Sequence, residues 1–271
     1  MRWHLEPEPQ TWHYGLIAQW WAEFNLDGPE IPYFQSLIER YGQPALDVAC
    51  GTGRLLLPYL RAGLEVDGSD ISPDMLALCR DKANREGLAP HLYQQAMHDL
   101  DLPRTYKTIF LCGSFGLGGN RDLALQALRR FYHHLEPGGV LAFDHELPYG
   151  DAKEWQDWLP ENRARLPHDW PPGNPADRKR ASDGTDYALR SRRVDIDPFE
   201  QTMTLQIQAE RWRDGVLIEQ EERTLAGSLY FKNEVVMMLE QVGFHDISVY
   251  GWYTEVPATS KDTVLVFLAK K

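Results

Sequence analysis

The pattern of apolar positions along the chain changes character twice. At the start, TWHYGLIAQWWAEF carries Trp12, Leu16, Trp20 and Phe24 near helical spacing. A second helix is predicted over Tyr33 to Tyr41, ending at Gly42, a residue type favoured just past a helix. Short apolar runs then alternate with helical stretches. ALDVA, LEVDGSD, HLYQQA, TIFLCG and VLAFDHE read as strands; RLLLPYLRAG, SPDMLALCRDKANREG and LALQALRRFYHHL read as helices. Ser72 is placed to cap the second of these, with Pro73 in its first turn and Gly87 at its close. That rhythm predicts right-handed crossovers and a parallel, doubly wound α/β sheet.

The rhythm breaks after Glu146. Asp151 to Tyr187 holds three tryptophans and five prolines and reads as irregular. TMTLQIQAERW then alternates strictly, with Met203, Leu205, Ile207 and Ala209 on one face. Asp214-Gly215 is a hairpin turn signal, VLIEQEERTLAGSLY is the partner strand, and a third strand is expected near Arg190 to Ile196. The chain returns to its first rhythm with the helix NEVVMMLEQVG and two closing strands, FHDISVYGW and TVLVFLAKK. Residues 1–150 and 231–271 are therefore expected to form one α/β unit. Residues 151–230 are expected as an inserted antiparallel sheet acting as lid, acceptor wall or dimer interface, since its edges must be covered.

Bulk properties narrow the field. The 271 residues are 43% hydrophobic and 25% charged, enough for a core, and no apolar run reaches the roughly 20 residues of a membrane span. The opening MRWHLEPEPQ lacks an apolar leader core, so a cytoplasmic protein is expected. A net charge of −12 without a basic stripe argues against nucleic acid as partner. Three scattered cysteines and nine histidines show no metal-ligand spacing, and no metal is expected.

The candidate chemistry begins at LDVACGTGR, a strand followed by a glycine turn. Free N–H groups at such a strand–turn–helix junction suit an anionic or polar ligand. A dinucleotide site needs a third glycine, and Leu56 stands there instead, packing the helix on the sheet. Asp70 lies 17 residues beyond Gly53 at the end of the second strand, where an acid can accept both hydroxyls of an adenosine ribose. An ordinary helix-terminal acid is the alternative. HLEPGGVLAFD adds a Pro-Gly-Gly turn before the fifth strand. The last two strands have no room for a crossover helix between them, so they are expected as an antiparallel hairpin.

DVACGTGR, VDGSDISPDML and HLEPGGVLAFD, in this order and at these intervals, resemble the class I S-adenosylmethionine-dependent methyltransferase family, over about Tyr14 to Glu146 and again from Asn233. The resemblance implies a Rossmann-like seven-stranded sheet with an antiparallel last strand. It implies S-adenosylmethionine as cofactor and S-adenosylhomocysteine as product. Its methionine end would lie at Asp47, Ala49, Gly51, Gly53 and Arg54, with Met75 and Cys112 nearby. Asp70 would take the ribose and Ile71 the adenine. The family's usual acid for the adenine amino group is matched here by Ala96, followed by Met97, or by Asp99 in another register. Methyl transfer is an in-line displacement that alignment and desolvation can drive. His145 and Glu146, after the fifth strand, are the expected groups for acceptor contact or proton removal; His133 and His134 are read as structural. Tyr14 and Ser114 are expected at the acceptor, and Trp20 and Trp21 in the core. The expected activity is methylation of a small molecule, nitrogen ahead of oxygen, in a protein that can form a homodimer. A catalytically silent S-adenosylmethionine-binding module is the rival.

Overall fold

The computed structural model describes residues 13–147, 152–170 and 172–271. Trp12, counted into the first helix, and the opening decapeptide lie outside them. Among the described residues eleven strands form two sheets. The larger is built from β1 (Ala45–Val48), β2 (Val66–Asp70), β3 (Leu92–Gln94), β4 (Tyr106–Leu111), β5 (Leu135–Glu146), β10 (His245–Gly251) and β11 (Val264–Lys270). Its seven strands run in the order β10-β11-β5-β4-β1-β2-β3. The first five pair in parallel, while β11 runs antiparallel to both β5 and β10. The expected fold and closing hairpin are both present.

Helices α2 (Glu30–Tyr41), α3 (Leu56–Arg61) and α4 (Pro73–Arg85) cover one face, and α5 (Arg121–His134) and α8 (Lys232–Val242) the other. Each face has its own apolar cluster, as doubly wound sheets require. Local chemistry sets the helix ends. The Ser72 hydroxyl accepts the Met75 N–H at 3.2 Å, Asn120 caps α5 through the Leu123 N–H at 3.1 Å, and Gly243 closes α8 at φ 112°. His134 is structural as expected, buried with its ring nitrogens near the Leu100 and Arg104 carbonyls.

The strand β5 starts earlier than the sequence suggests. Pro137-Gly138-Gly139, read as a turn, lies inside it, and the register shift against β4 between Tyr106 and Thr108 absorbs the irregularity. Residues 151–187 are also less irregular than expected. They hold short helices α6 (Ala152–Gln156) and α7 (Pro160–Arg163) and strand β6 (Lys179–Arg180). The second sheet follows the order β6-β7-β8-β9, all antiparallel, with β7 at Asp186–Asp197, β8 at Thr202–Arg213 and β9 at Val216–Ser228. Asp214 and Gly215, at φ 50° and 78°, form the predicted hairpin turn.

Helix α1 (Gly15–Phe24) joins the two sheets. Leu16 and Ile17 bury against Tyr187, Ile207 and Ala209 of the second sheet. The first N–H groups of α1 are satisfied from both sides: Gly15 donates to Asp74 of α4 and Leu16 to Glu221 of β9, each at 2.7 Å.

Two residues of the core carry stability predictions. Gly68 in β2 stands where a Cβ would come within 2.8 Å of Cys50 Sγ and of Leu56 Cδ2. Gly68→Ala is expected to lower unfolding free energy by about 1–3 kcal/mol in denaturant titration, the usual penalty of overpacking. His145 is buried between the rings of Phe115 and Tyr230, and its Nε2 accepts the Tyr230 N–H at 3.2 Å. Burial lowers its pKa to about 4. The unfolded chain therefore takes up a proton near pH 6.5 that the folded chain refuses until about pH 4, so stability falls as pH drops through that window. His145→Gln, which keeps an acceptor but does not titrate, is expected to lose this component, on the order of 3 kcal/mol between pH 7 and 4 in paired unfolding curves.

Candidate active site

The parallel register brings the carboxyl ends of four strands to one level. Val48 of β1 stands beside Ser69 of β2 and Leu111 of β4, and Leu111 stands beside Phe143 of β5. In an open α/β sheet that edge is where ligands bind. A cavity of about 410 Å³ opens there.

The glycine turn forms its floor. Ala49, Gly51 and Gly53 have φ of 56°, 55° and 83°, a sequence of left-handed residues that a helical or extended backbone cannot supply. Gly51 lines the cavity, and its N–H donates to Asp70 Oδ2 at 2.9 Å. Gly53 does not line it; a Cβ there would meet Cys79 Sγ at 2.7 Å and Leu57 Cγ at 2.8 Å, so this glycine serves packing. Leu56 packs on the sheet as expected, fully buried, and the missing third glycine has its counterpart in Gly68 of the facing strand.

Of the other residues anticipated at the cofactor, Asp47, Ala49, Arg54, Asp70, Ile71, Met75, Ala96, Met97 and Cys112 all line the cavity. Asp47 is buried, its Oδ2 has no hydrogen-bond partner among the described residues, and burial raises its pKa well above the ordinary range, with the charge of Asp70 adding to the effect. Asp70 is engaged at both oxygens, the second accepting the Ser72 N–H at 2.8 Å; desolvation nevertheless raises its pKa. The residues after β3 present Ala96 and Met97 to the cavity, but the Asp99 carboxylate is 66% exposed beside His98 and does not line it.

At the acceptor end the structure differs from expectation. Ser114 lines the cavity, with its hydroxyl buried and unpartnered among the described residues. Tyr14 does not line it; it is the N-cap residue of α1. His145 and Glu146 do not reach it either. Because Leu111 pairs with Phe143, the crevice lies level with Asp144. His145 then points to the opposite face of the sheet, and Glu146 extends past the crevice into solvent.

Among the wall residues that sequence reading misses are Asp144, Tyr253, Glu30 and Trp21. Asp144, buried, accepts the Gly113 N–H at 2.6 Å and the Tyr253 O–H at 2.5 Å. Tyr253 arrives from the loop between β10 and β11. Glu30, at the start of α2, pairs with Arg54, whose second terminal nitrogen lies 3.6 Å from Cys112 Sγ. Trp21, expected in the core, lines the cavity, and its indole N–H is buried without a partner among the described residues. Alternation along β5 separates Asp144 from His145 by face but does not tell which residue is level with the crevice, and the spacing of α1 gives no signal for Trp21.

Comparison with known proteins agrees with this geometry. A family model described as a methyltransferase domain matches residues 45–139. A protein of Geobacillus sp. (strain WCH70) that bears a methyltransferase name is 30% identical over 140 residues, covering 48% of this chain and 56% of its own. The dTDP-3-amino-3,6-dideoxy-alpha-D-glucopyranose N,N-dimethyltransferase of Streptomyces fradiae is 34% identical over 114 residues, 40% of this chain and 43% of its own. The chain thus spans about half the length of the curated relatives it matches. Among solved structures, the CcbJ methyltransferase of Streptomyces caelestis superposes with a TM-score of 0.70 at 19% identity, over 96% of this chain and 98% of that one. The matched residues run from β1 to the opening of β5 and include the glycine turn and Asp70, so the part of the chain that is similar to a methyltransferase domain is the part that builds this end of the cavity.

Proposed function

We propose that this protein moves a methyl group from S-adenosylmethionine to a nitrogen of a small molecule and releases S-adenosylhomocysteine. The observation that carries the reading is the unpartnered, buried Asp47 carboxylate oxygen at the foot of the glycine turn, on the wall of a cavity that Asp70 also lines. A buried carboxyl oxygen without a partner fits a ligand ammonium, which the methionine end of this cofactor carries. Asp70 keeps lone pairs for the ribose hydroxyls beyond its two backbone bonds. Ile71, Ala96 and Met97 offer apolar surface and backbone groups to the adenine.

Once bound, the cofactor supplies an electrophilic methyl on a sulfonium. That methyl would pass to the lone pair of a neutral nitrogen while the C–S bonding pair stayed on sulfur; an acceptor that arrives as an ammonium would first give one proton to solvent. The chain's contribution is alignment and exclusion of water. Trp21 on α1 is suited to form part of the acceptor wall, and the second sheet, none of whose described residues lines the cavity, backs that helix. Nitrogen is favoured over oxygen because Asp47, Asp70 and Asp144 line the cavity without an ion-pair partner among the described residues, while Glu30 is paired with Arg54. The N,N-dimethyltransferase name of the Streptomyces fradiae relative supports the same choice.

Titration with S-adenosylhomocysteine and with NAD(H) tests the cofactor. Binding of the first is expected, and uptake of NAD(H) alone would refute the reading. Asp70→Ala is expected to weaken S-adenosylhomocysteine by about 1–3 kcal/mol, the cost of unmade hydrogen bonds. Labelled-methyl transfer to a panel of amino sugars and simple amines is expected to give product. Product from hydroxyl acceptors only would move the assignment to O-methylation, and transfer to none would favour the silent module.

A further inference from the structure

Asp144 is a carboxylate on the cavity wall whose partners are all neutral. Its oxygens accept the Gly113 N–H and the Tyr253 O–H, and the Cys112 thiol lies 3.8 Å away. Among the described residues no arginine, lysine or histidine stands within ion-pair distance of it; the Arg54 guanidinium, which reaches Cys112, is paired with Glu30. A carboxylate removed from water without a counter-charge is costly to keep, and a cation beside it offsets that cost.

The backbone around Asp144 holds both of its donors in place. Trp252 and Tyr253 occupy consecutive left-handed conformations, at φ 43° and 51°. Bulky residues adopt that region rarely, and each such residue stores strain that the surrounding fold must hold. Here the strain delivers the Tyr253 phenol onto Asp144 Oδ2, while Gly113, at φ 62°, delivers its N–H onto Oδ1. The turn also belongs to the closing hairpin, since the Trp252 N–H donates to the Val264 carbonyl of β11 at 3.0 Å and the Tyr253 ring packs on Tyr33 and Phe34. From that fixed position the phenol orients one acid at the cavity wall. Asp144 also stands at the β4–β5 end of the crevice, whereas Asp47 and Asp70 belong to β1 and β2.

We infer that Asp144 is the specificity-determining carboxylate that docks the positively charged amine of the methyl acceptor, and that Tyr253 is the positioning residue that holds its second oxygen. The acceptor class is thereby a cationic amine; a carboxylate or phosphate at the same point meets a like charge. This inference rests on the reading of the protein as an S-adenosylmethionine-dependent N-methyltransferase.

Sinefungin tests it without knowledge of the acceptor. In that analogue a C–NH3+ group replaces the sulfonium methyl, so it presents an ammonium where the donor methyl faces the acceptor. Sinefungin and S-adenosylhomocysteine are titrated calorimetrically into wild type, Asp144→Asn and Tyr253→Phe. In D144N, S-adenosylhomocysteine affinity is expected to hold within about twofold while sinefungin affinity falls about tenfold or more, the loss expected for a charged hydrogen bond. Y253F is expected to lower the same ratio by a smaller factor, and it carries the test if D144N does not fold. A sinefungin-to-S-adenosylhomocysteine ratio unchanged in the folded variants overturns the docking role of Asp144. Failure of wild type to bind S-adenosylhomocysteine at all is a different result, and overturns the cofactor reading beneath it.

Discussion

The Asp70 carboxylate ties together two loops that the sheet itself leaves apart. One oxygen takes the Gly51 N–H from the turn after β1, and the other takes the Ser72 N–H from the turn after β2. The parallel register of β1 and β2 sets these turns side by side, and the carboxylate fixes their spacing. Two short backbone hydrogen bonds to an acid oppose the desolvation that burial imposes on it. The wall residues from Asp47 to Arg54 and from Ile71 to Met75 take their positions from this joint. So does α4, because Ser72 is both held by Asp70 and the cap of that helix.

A second joint lies at the start of α1. Its opening N–H groups carry the positive end of the helix dipole, and one acid from each side of the molecule reaches them, Asp74 from the α/β unit and Glu221 from the second sheet. The Ser72 hydroxyl donates to the His13 carbonyl at 2.5 Å, adding a third tether. The helix is thereby set over the crevice, with Trp21 on the cavity side and Leu16 and Ile17 in the apolar seam with the second sheet. The loop between α5 and β4 reinforces the seam: Gly118 donates to Ala226 and Ser228 to Gly116, extending β9 toward the crevice.

Most of the fold is legible in the sequence because its signals are local. Buried parallel strands such as ALDVA are apolar but for a single acid, β8 alternates because one face meets α1, and Asp214-Gly215 can hardly be anything but a hairpin. The glycine turn and Asp70 are legible for the same reason, since their spacing is set by one β–α–β passage. What escapes reading is set at long range. Asp144 faces the crevice because β5 pairs with β4 in one register, and no local pattern tells at which residue that level falls. Tyr253 comes from a loop whose strained turn exists only because β10 and β11 are already paired. Gly68 opposite Leu56 is a contact between a strand and a helix start, visible as two unremarkable residues in the chain. The short helix α7 was hidden by its proline, which at the first helical position favours a helix rather than breaking one.

The carboxylates that line the cavity give its interior a sign as well as a shape. Asp47, Asp70 and Asp144 are all buried, and none is neutralised by an ion pair among the described residues. Such an enclosure separates ligands of the same outline by their charge, holding the positive one more tightly. A donor that enters as a sulfonium and leaves as a thioether changes charge without much change in form. For the proposed sulfonium donor, an ionised acid in such a wall would hold the charged form more tightly than the neutral thioether that it becomes.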